Sequence, residues 1–584
     1  MPSYTRFRAN RTIRRYRRDA AKIRVDVTDY ARQHLYGKWR QLAMIRRFAA
    51  GWWLLILLVG VGLVVQVERL RQNTLFIQPL AGGTYTEALA GTIKNVNPIL
   101  PEGSASADVT RLVFDGLTRY NASGQVEPDL ASSWAISDDG RTYTFKLRKG
   151  VKWHDGVPFS SADVAFTLAA VQNPDTRSPL NLSWKGVKVQ TPDDLTVQLI
   201  LPKPFTPFLT TTTIGIIPRH LLENSEPSQL RVASFNQHPV GTGPFKLDQL
   251  DPSASQVELK ANSAYWGKKP LLDSITFKTY STSEQAYDAL IKRQVMGVNK
   301  APRDKASEAR ELASLHASEL TTPDEVGVFL KNSAPMLQDK AVREALAKAT
   351  NRGDLIKEAL GGEATPVASP LLPTELAIKG VAHQPRFDLK GAESELEAAG
   401  WKKQPDGTRK KQDQVLQLNL VTQSDSTYGA VATAIKNQWA KVGVRVHVVE
   451  VDPTTLQQSF IRPRKYDALL YGINVGADPD VYAFWHSSQA ADPGLNLSAY
   501  KSPAVDKALE GGRTVREPGL RAAKYKAFAQ AWVADTPAVM LYSPNYLYAQ
   551  NKEVYGFSTK HLITPSDRFY GVEHWAVRTK LIGQ

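Results

Sequence analysis

Twenty consecutive residues, 48–67, carry no charge between Arg47 and Glu68, and the run reads FAAGWWLLILLVGVGLVVQV. Leu54 to Val65 is apolar on every helical face, so no amphipathic stripe marks a side that would face a soluble core. As a helix the run is roughly 30 Å long, the thickness of a bilayer core. The pattern predicts one transmembrane helix over 48–67, with Trp52 and Trp53 as interface anchors. A helix buried in a globular core is the alternative. A cleavable signal peptide fits poorly, because 47 residues precede the run and no small-x-small site follows it.

Beyond a short stalk, 68–79, the pattern changes period. In Thr142 to Arg148, TYTFKLR, the apolar Tyr143, Phe145 and Leu147 alternate with polar residues, which predicts a half-buried strand. Val151 and Trp153 resume the alternation, and His154-Asp155-Gly156 supplies turn residues that tolerate positive φ. Ser160 to Asp163 has the form of a capping box, opening a helix with Val164, Leu168 and Val171 on one face. Farther on, Leu416, Leu418 and Leu420 alternate with polar residues as a strand. Ala430 to Lys441 reads as an amphipathic helix, and GVRVHVVEV and Tyr466 to Gly472 read as two more strands. Strand, helix, strand and a further crossover predict a βαβ-type lobe, with ligands in the crevice outside the carboxyl ends of its strands. The loop Ile473 to Tyr482, INVGADPDVY, leaves such an end.

Charge sharpens this division. Of the net +16, residues 1–48 contribute +11, with 14 Lys and Arg against 3 acids, and the rest of the chain contributes +5. The basicity belongs to an N-terminal arm, 1–47. Basic residues before the apolar run place the arm in the cytoplasm and the body outside. Tyr4, Phe7, Tyr16 and Tyr36 interleave with the basic residues, as in nucleic-acid binders. Contact with the anionic inner leaflet, worth about 1 kcal/mol per basic residue, accounts for the arm with fewer assumptions, and no nucleic-acid partner is expected. The chain of 584 residues is long enough for several lobes, and its lack of cysteine excludes disulfides and thiol catalysis.

Candidate chemistry is sparse. His154-Asp155 has the composition of an acid/base pair, but it occupies a turn with no nearby nucleophile, which favours packing against Trp153 and Phe159. No two of the ten histidines lie within five positions of each other, and no metal-ligand spacing, nucleophile elbow or phosphate loop occurs. The expectation is a binding protein rather than an enzyme, with no cofactor and no metal.

Four ordered segments carry a resemblance: the run from Val113 to Leu168, VGTGPFKL at 240–247, DKAVREALAKATNRGDLI at 339–356, and DPDVYAFWHSSQ at 478–489. Together they resemble the extracellular solute-binding proteins of peptide/nickel-type ABC importers, family 5, over about residues 80–580. The resemblance implies an α/β fold of two lobes closing like a clamp, the type II periplasmic-binding-protein-like fold with an additional subdomain, here preceded by one transmembrane helix. Lobe 1 would be 80–325, with the extra subdomain at about 116–235. Lobe 2 would be 326–545, and 546–584 would return to lobe 1. His154 and Asp155 would then lie in the added subdomain and serve packing.

The implied function is capture of peptides or peptide-like solutes outside the cell and delivery to ABC permease subunits. An extracellular receptor or chaperone-like protein of the same fold, binding a non-peptide solute without transport, is the alternative. The loop and the segment after it nominate Ile473, Asn474, Val475, Asp478, Asp480, Tyr482, Trp485 and His486 as ligand-binding residues. One departure stands out. Peptide-binding members place an aspartate for the ligand's ammonium shortly after this strand. Here that position holds Gly476 counted from Gly472, or Val475 counted back from Asp478-Pro479, and Ile473 replaces an aromatic wall. Asp478 or Asp480 could substitute within the loop, with a turn or helix cap at Asp-Pro-Asp as the alternative.

Overall fold

The computed structural model describes residues 46–583 except 252–254, 373–375 and 377, so the basic arm lies almost entirely outside the described residues. The chain divides into two compact units, Met1–Gln78 with Thr579–Gln584, and Pro79–Arg578. In the first, a helix runs Arg46–Thr74. Trp52, Trp53 and every large apolar side chain from Leu54 to Val65 are exposed. Among the described residues no helix is long and apolar enough to cross a membrane. The span expected over 48–67 is therefore not shown by the structure.

In the second unit the period-2 segment forms the strand Thr142–Leu147 with Tyr143, Phe145 and Leu147 buried. It is an inner strand of a four-stranded sheet, between Ala131–Ile136 and Thr196–Ile200. The turn at His154-Asp155-Gly156 closes through Trp153 N–H donating to the Val157 carbonyl at 2.8 Å, and Gly156 takes φ 93°, which a Cβ would oppose. The predicted capping box is present, Ser160 with Asp163, at the start of the helix Ser161–Gln172.

His154 does more than pack. Its Nδ1 accepts from the Gly241 N–H at 3.2 Å, and Nε2 lies 3.0 Å from the Gly243 carbonyl. These bonds tie the turn to the VGTGPFKL segment. Burial holds its imidazole down at about 4, against the opposing pull of the Gly243 hydrogen bond. A histidine depressed in the fold stays neutral there while the unfolded chain takes a proton below about pH 6.5. Stability from this group is full above that pH and is lost as pH falls toward 4. His154→Ala should cost about 1–2 kcal/mol at pH 7, the scale of stranding a buried hydrogen-bond partner. The difference from wild type should shrink between pH 6.5 and 4, which denaturant unfolding at several pH values reads directly.

Two larger sheets organise the unit. The first has seven strands in the order Leu315–Leu320, Tyr546–Asn551, Gly297–Val298, Thr84–Ala90, Ser274–Tyr280, Gln256–Ala261 and Phe245–Asp251. The second has six, in the order Ala364–Pro366, Ala538–Pro544, Asp324–Leu330, Ala468–Asn474, Gln417–Gln423 and Arg445–Val451. Within the second, the strands at 417–423 and 445–451 run parallel. The helix between them, Ser426–Lys441, buries Ile435 and Trp439. That helix starts four residues before the sequence expectation, because Asp425 accepts the N–H groups of Thr427 and Tyr428 and caps it there. Separate apolar clusters pack on the two faces of this sheet, one around Leu418 and Trp439 and one around Phe329 and Trp485.

Candidate functional site

Two chain crossings join the large sheets. Strand Leu315–Leu320 passes through Thr321, Thr322 and Pro323 into Asp324–Leu330, and strand Ala538–Pro544 returns through Asn545 into Tyr546–Asn551. Neighbouring groups brace these short connections. Asn545 Nδ2 donates to Glu319 Oε1 at 2.5 Å, and Thr365 Oγ1 donates to Asn545 Oδ1 at 3.3 Å. The Arg310 guanidinium forks onto both oxygens of Glu363 at 2.7 Å. The Val475 N–H donates to the Pro323 carbonyl at 2.9 Å.

Beside the crossings lies a cavity of about 790 Å³. Leu320, Thr321, Pro323, Val367, Leu371 and Asn545 line it, with Gly476, Ala477, His383, His561 and the turn at Ser123-Gly124-Gln125. The volume is in the range of small-ligand sites, and the lining mixes apolar residues with hydroxyl, amide, imidazole and one carboxyl side chain. On another side of the unit, side chains from the two halves also meet. Arg516 donates to the Ser137 carbonyl at 2.7 Å, Thr206 Oγ1 to the Val515 carbonyl at 3.1 Å, and Arg513 lies over the Phe205 ring at 5.1 Å.

None of the eight nominated residues lines this cavity; from their loop, Gly476 and Ala477 do. Ile473 and Val475 are buried in the apolar cluster with Val367 and Leu371. Asn474 is exposed and donates to Asp324 at 2.8 Å. Asp478 is held by Arg521 through two bonds, 2.8 and 2.5 Å, with 17% and 7% of the two side chains exposed. Asp480 is held by Arg513 Nε at 2.8 Å, and burial raises its carboxyl while Arg513 pulls it back. Tyr482 stacks on His486 at 4.0 Å and lies under Arg513 at 3.9 Å. His486 is buried with Asp506 and Glu510 within 4 Å. Trp485 is fully buried, stacked on Phe329. Asp478 and Asp480, expected as carboxylates for a ligand, each face an arginine in this structure, Arg521 at 43 and Arg513 at 33 positions' remove.

The crossings lie beside the lobe boundaries expected at 325/326 and 545/546, and chain breakers mark them in the sequence, Pro323 and Pro544, each at an end of a β-branched or apolar run. Among the described residues no group of three His, Asp or Glu side chains is arranged to hold a metal ion.

Residues 125–494 match the family model for bacterial extracellular solute-binding proteins, family 5. The chain is 30% identical over 471 residues to Protein XP55 of Streptomyces lividans, covering 80% of this chain and 84% of that one. It is 26% identical over 507 residues to the oligopeptide-binding protein AppA of Bacillus subtilis, covering 85% and 92%. Among solved structures, NikZ of Campylobacter jejuni in complex with Ni(L-His) superposes with a TM-score of 0.71 at 29% identity, covering 84% of this chain and 99% of that one. That likeness, over nearly the whole of the solved chain, gives the body its periplasmic-binding-protein-like α/β fold. The chain belongs to the family 5 bacterial extracellular solute-binding proteins.

Proposed function

We infer that this protein captures a peptide or peptide-like solute outside the cell, in the cleft between its two large sheets, and hands it to the permease of an ABC transporter. The observation that carries the reading is the cavity of about 790 Å³ at the double crossing, where a small rotation of one half against the other would open or close it. Lobe 1 is then 80–325 with 546–584, and lobe 2 is 326–545. The shared sheet of strands 84–90, 297–298 and 546–551 supports that division. Peptide as the solute class is supported by the printed names of relatives, among them AppA solved with a nonapeptide at 25% identity and a TM-score of 0.70.

The helix Arg46–Thr74 serves as the tether in this reading. Its 29 residues span roughly 44 Å at 1.5 Å each. The exposed apolar side chains over 52–65 make it unsuited to water. The basic residues before it keep the arm on the anionic inner leaflet and leave the body outside.

One experiment on the full chain tests both parts. The protein should sediment with membranes until detergent is added. After purification in detergent and denaturation, it should release a peptide-like solute visible by mass spectrometry, and adding that solute back should raise the melting temperature. Recovery in the soluble fraction overturns the tether. A preparation that releases no such solute, and melts at the same temperature with and without peptide pools, overturns the capture of peptides.

A further inference from the structure

One buried acid near the cleft has no partner. Glu325, the second residue of the strand Asp324–Leu330, is 0% exposed, and neither of its carboxyl oxygens has a hydrogen-bond partner among the described residues. This is unusual: buried carboxyl groups are normally paired or hydrogen-bonded, because leaving one alone forfeits its hydration with nothing in exchange. Other buried acids are held, Glu87 and Asp108 by Arg568, Asp115 by Trp266 and Thr242, and Asp163 by the backbone N–H groups of Ser160 and Arg219, as are the part-buried Asp478 by Arg521 and Asp480 by Arg513.

Its neighbours place it behind the cavity wall, of which it is not itself a lining residue. Glu325 stands two residues beyond Pro323, which lines the cavity. In the antiparallel ladder it sits directly opposite Ile473, so the two side chains leave the same face of the sheet. On that face Ile473 packs in one apolar cluster with Val367 and Leu371, and both of those line the cavity. The cavity's charge agrees. Among the described residues its lining holds one acid, Glu319, two histidines, His383 and His561, and no lysine or arginine, so it carries no permanent positive charge. Glu319 is engaged by Asn545 at 2.5 Å and lies 3.5 Å from Arg310, whereas Glu325 is engaged by nothing described.

We propose that Glu325 is the acceptor for an ammonium group of the captured solute, taking the place of the aspartate that the strand-end loop lacks. The inference rests on the peptide-capture reading above and names the group by which the solute is recognised. In the structure as it stands, burial alone pushes the Glu325 carboxyl up to about 8, so it holds its proton at neutral pH. An ammonium brought alongside supplies the opposite charge that stabilises the ionised form, and the same burial then makes the pair strong and selective. A neutral solute leaves the acid protonated and gains nothing from it.

The test uses the full chain in detergent and a pool of random tetrapeptides built without Arg and His, offered unmodified and with every amine acetylated. Bound peptide is measured by mass spectrometry. The wild type is expected to retain the unmodified pool at least tenfold over the acetylated one. Glu325→Gln, which keeps the shape of the protonated acid, is expected to lose that preference while melting with the wild type at pH 6. Should the Gln variant melt early, Glu325→Leu, which removes polarity as well as charge, must show the same lost preference at a temperature where it is folded. A variant that keeps the tenfold preference overturns the assignment of Glu325 and leaves peptide capture standing. A wild type that retains both pools equally also overturns it, again with peptide capture standing. A wild type that retains neither pool overturns peptide capture, and the assignment with it.

Discussion

Arg568→Met is expected to cost about 3–5 kcal/mol at pH 7, the scale of stranding buried charge by removing its partner. Arg568 is 0% exposed, and so are the side chains of Glu87 and Asp108 on either side of it. Its guanidinium reaches Glu87 Oε1 at 2.6 and 2.9 Å and both oxygens of Asp108 at 2.7 Å, and donates also to the Pro565 carbonyl. Tyr85 and Tyr548 donate to the remaining Glu87 oxygen at 2.6 and 2.8 Å. The network joins the strand Thr84–Ala90, the helix Gly103–Val113 and the chain's last hundred residues at one buried point. Methionine fills much of the volume but leaves two carboxyl groups facing each other in a dry interior.

The pH dependence of that loss follows from Asp108. Burial pushes its carboxyl up to about 6 even with Arg568 pulling it down. An acid raised in the fold contributes stability that is fully present below its unfolded value of about 4, and that stability is lost as pH rises through the folded value. Without the arginine Asp108 rises further, so the variant's deficit should be largest at pH 8 and should shrink toward pH 5. Denaturant unfolding at pH 5, 7 and 8 measures this. A variant within 1 kcal/mol of wild type at all three would show that the arginine's charge is not what holds these carboxylates.

Asp478→Asn is expected to lower stability by about 2–3 kcal/mol and to leave the ratio of free to acetylated peptide binding unchanged. Arg521 also donates to the Gly512 carbonyl at 2.8 Å and is 7% exposed, so it cannot turn to water when its acid is neutralised. The asparagine oxygen keeps one of the two bonds, which holds the loss below the full 3–5 kcal/mol for a buried pair. Calorimetric melting reads the first effect, and the two peptide pools read the second. A selective loss of free-amine peptides with unchanged melting would return Asp478 to the ligand site and remove the need for Glu325.

Much of the architecture was legible in the residue pattern. The alternation of Tyr143, Phe145 and Leu147, the turn at His154, the capping box at Ser160 and the strand-helix-strand unit from Leu416 onward all appear at or near the predicted positions. The physical reason is that burial on one face of a strand or helix imposes a period of 2 or 3.6, and a period is visible over a dozen residues without knowledge of the partner. Turn and cap chemistry is equally local, since the atoms that satisfy the backbone lie within four positions. The four-segment resemblance extended this to the whole body, because order and spacing of segments survive where individual contacts do not.

Charge partners were not legible. Asp478 reads the same in the sequence whether it waits for a ligand or holds Arg521, and only the packing of the helix Pro518–Asp535 against the loop decides between them. His154 read as packing, yet its hydrogen bonds run to Gly241 and Gly243, nearly ninety positions away. Glu325 sits in a strand-like run, DEVGVFL, where nothing nearby marks it, and its surroundings come from other segments, Ile473 and the stretch holding Val367 and Leu371. Whether a buried charge is paired depends on which side chains the fold delivers within about 3 Å, and that distance is set by tertiary packing rather than by any period along the chain.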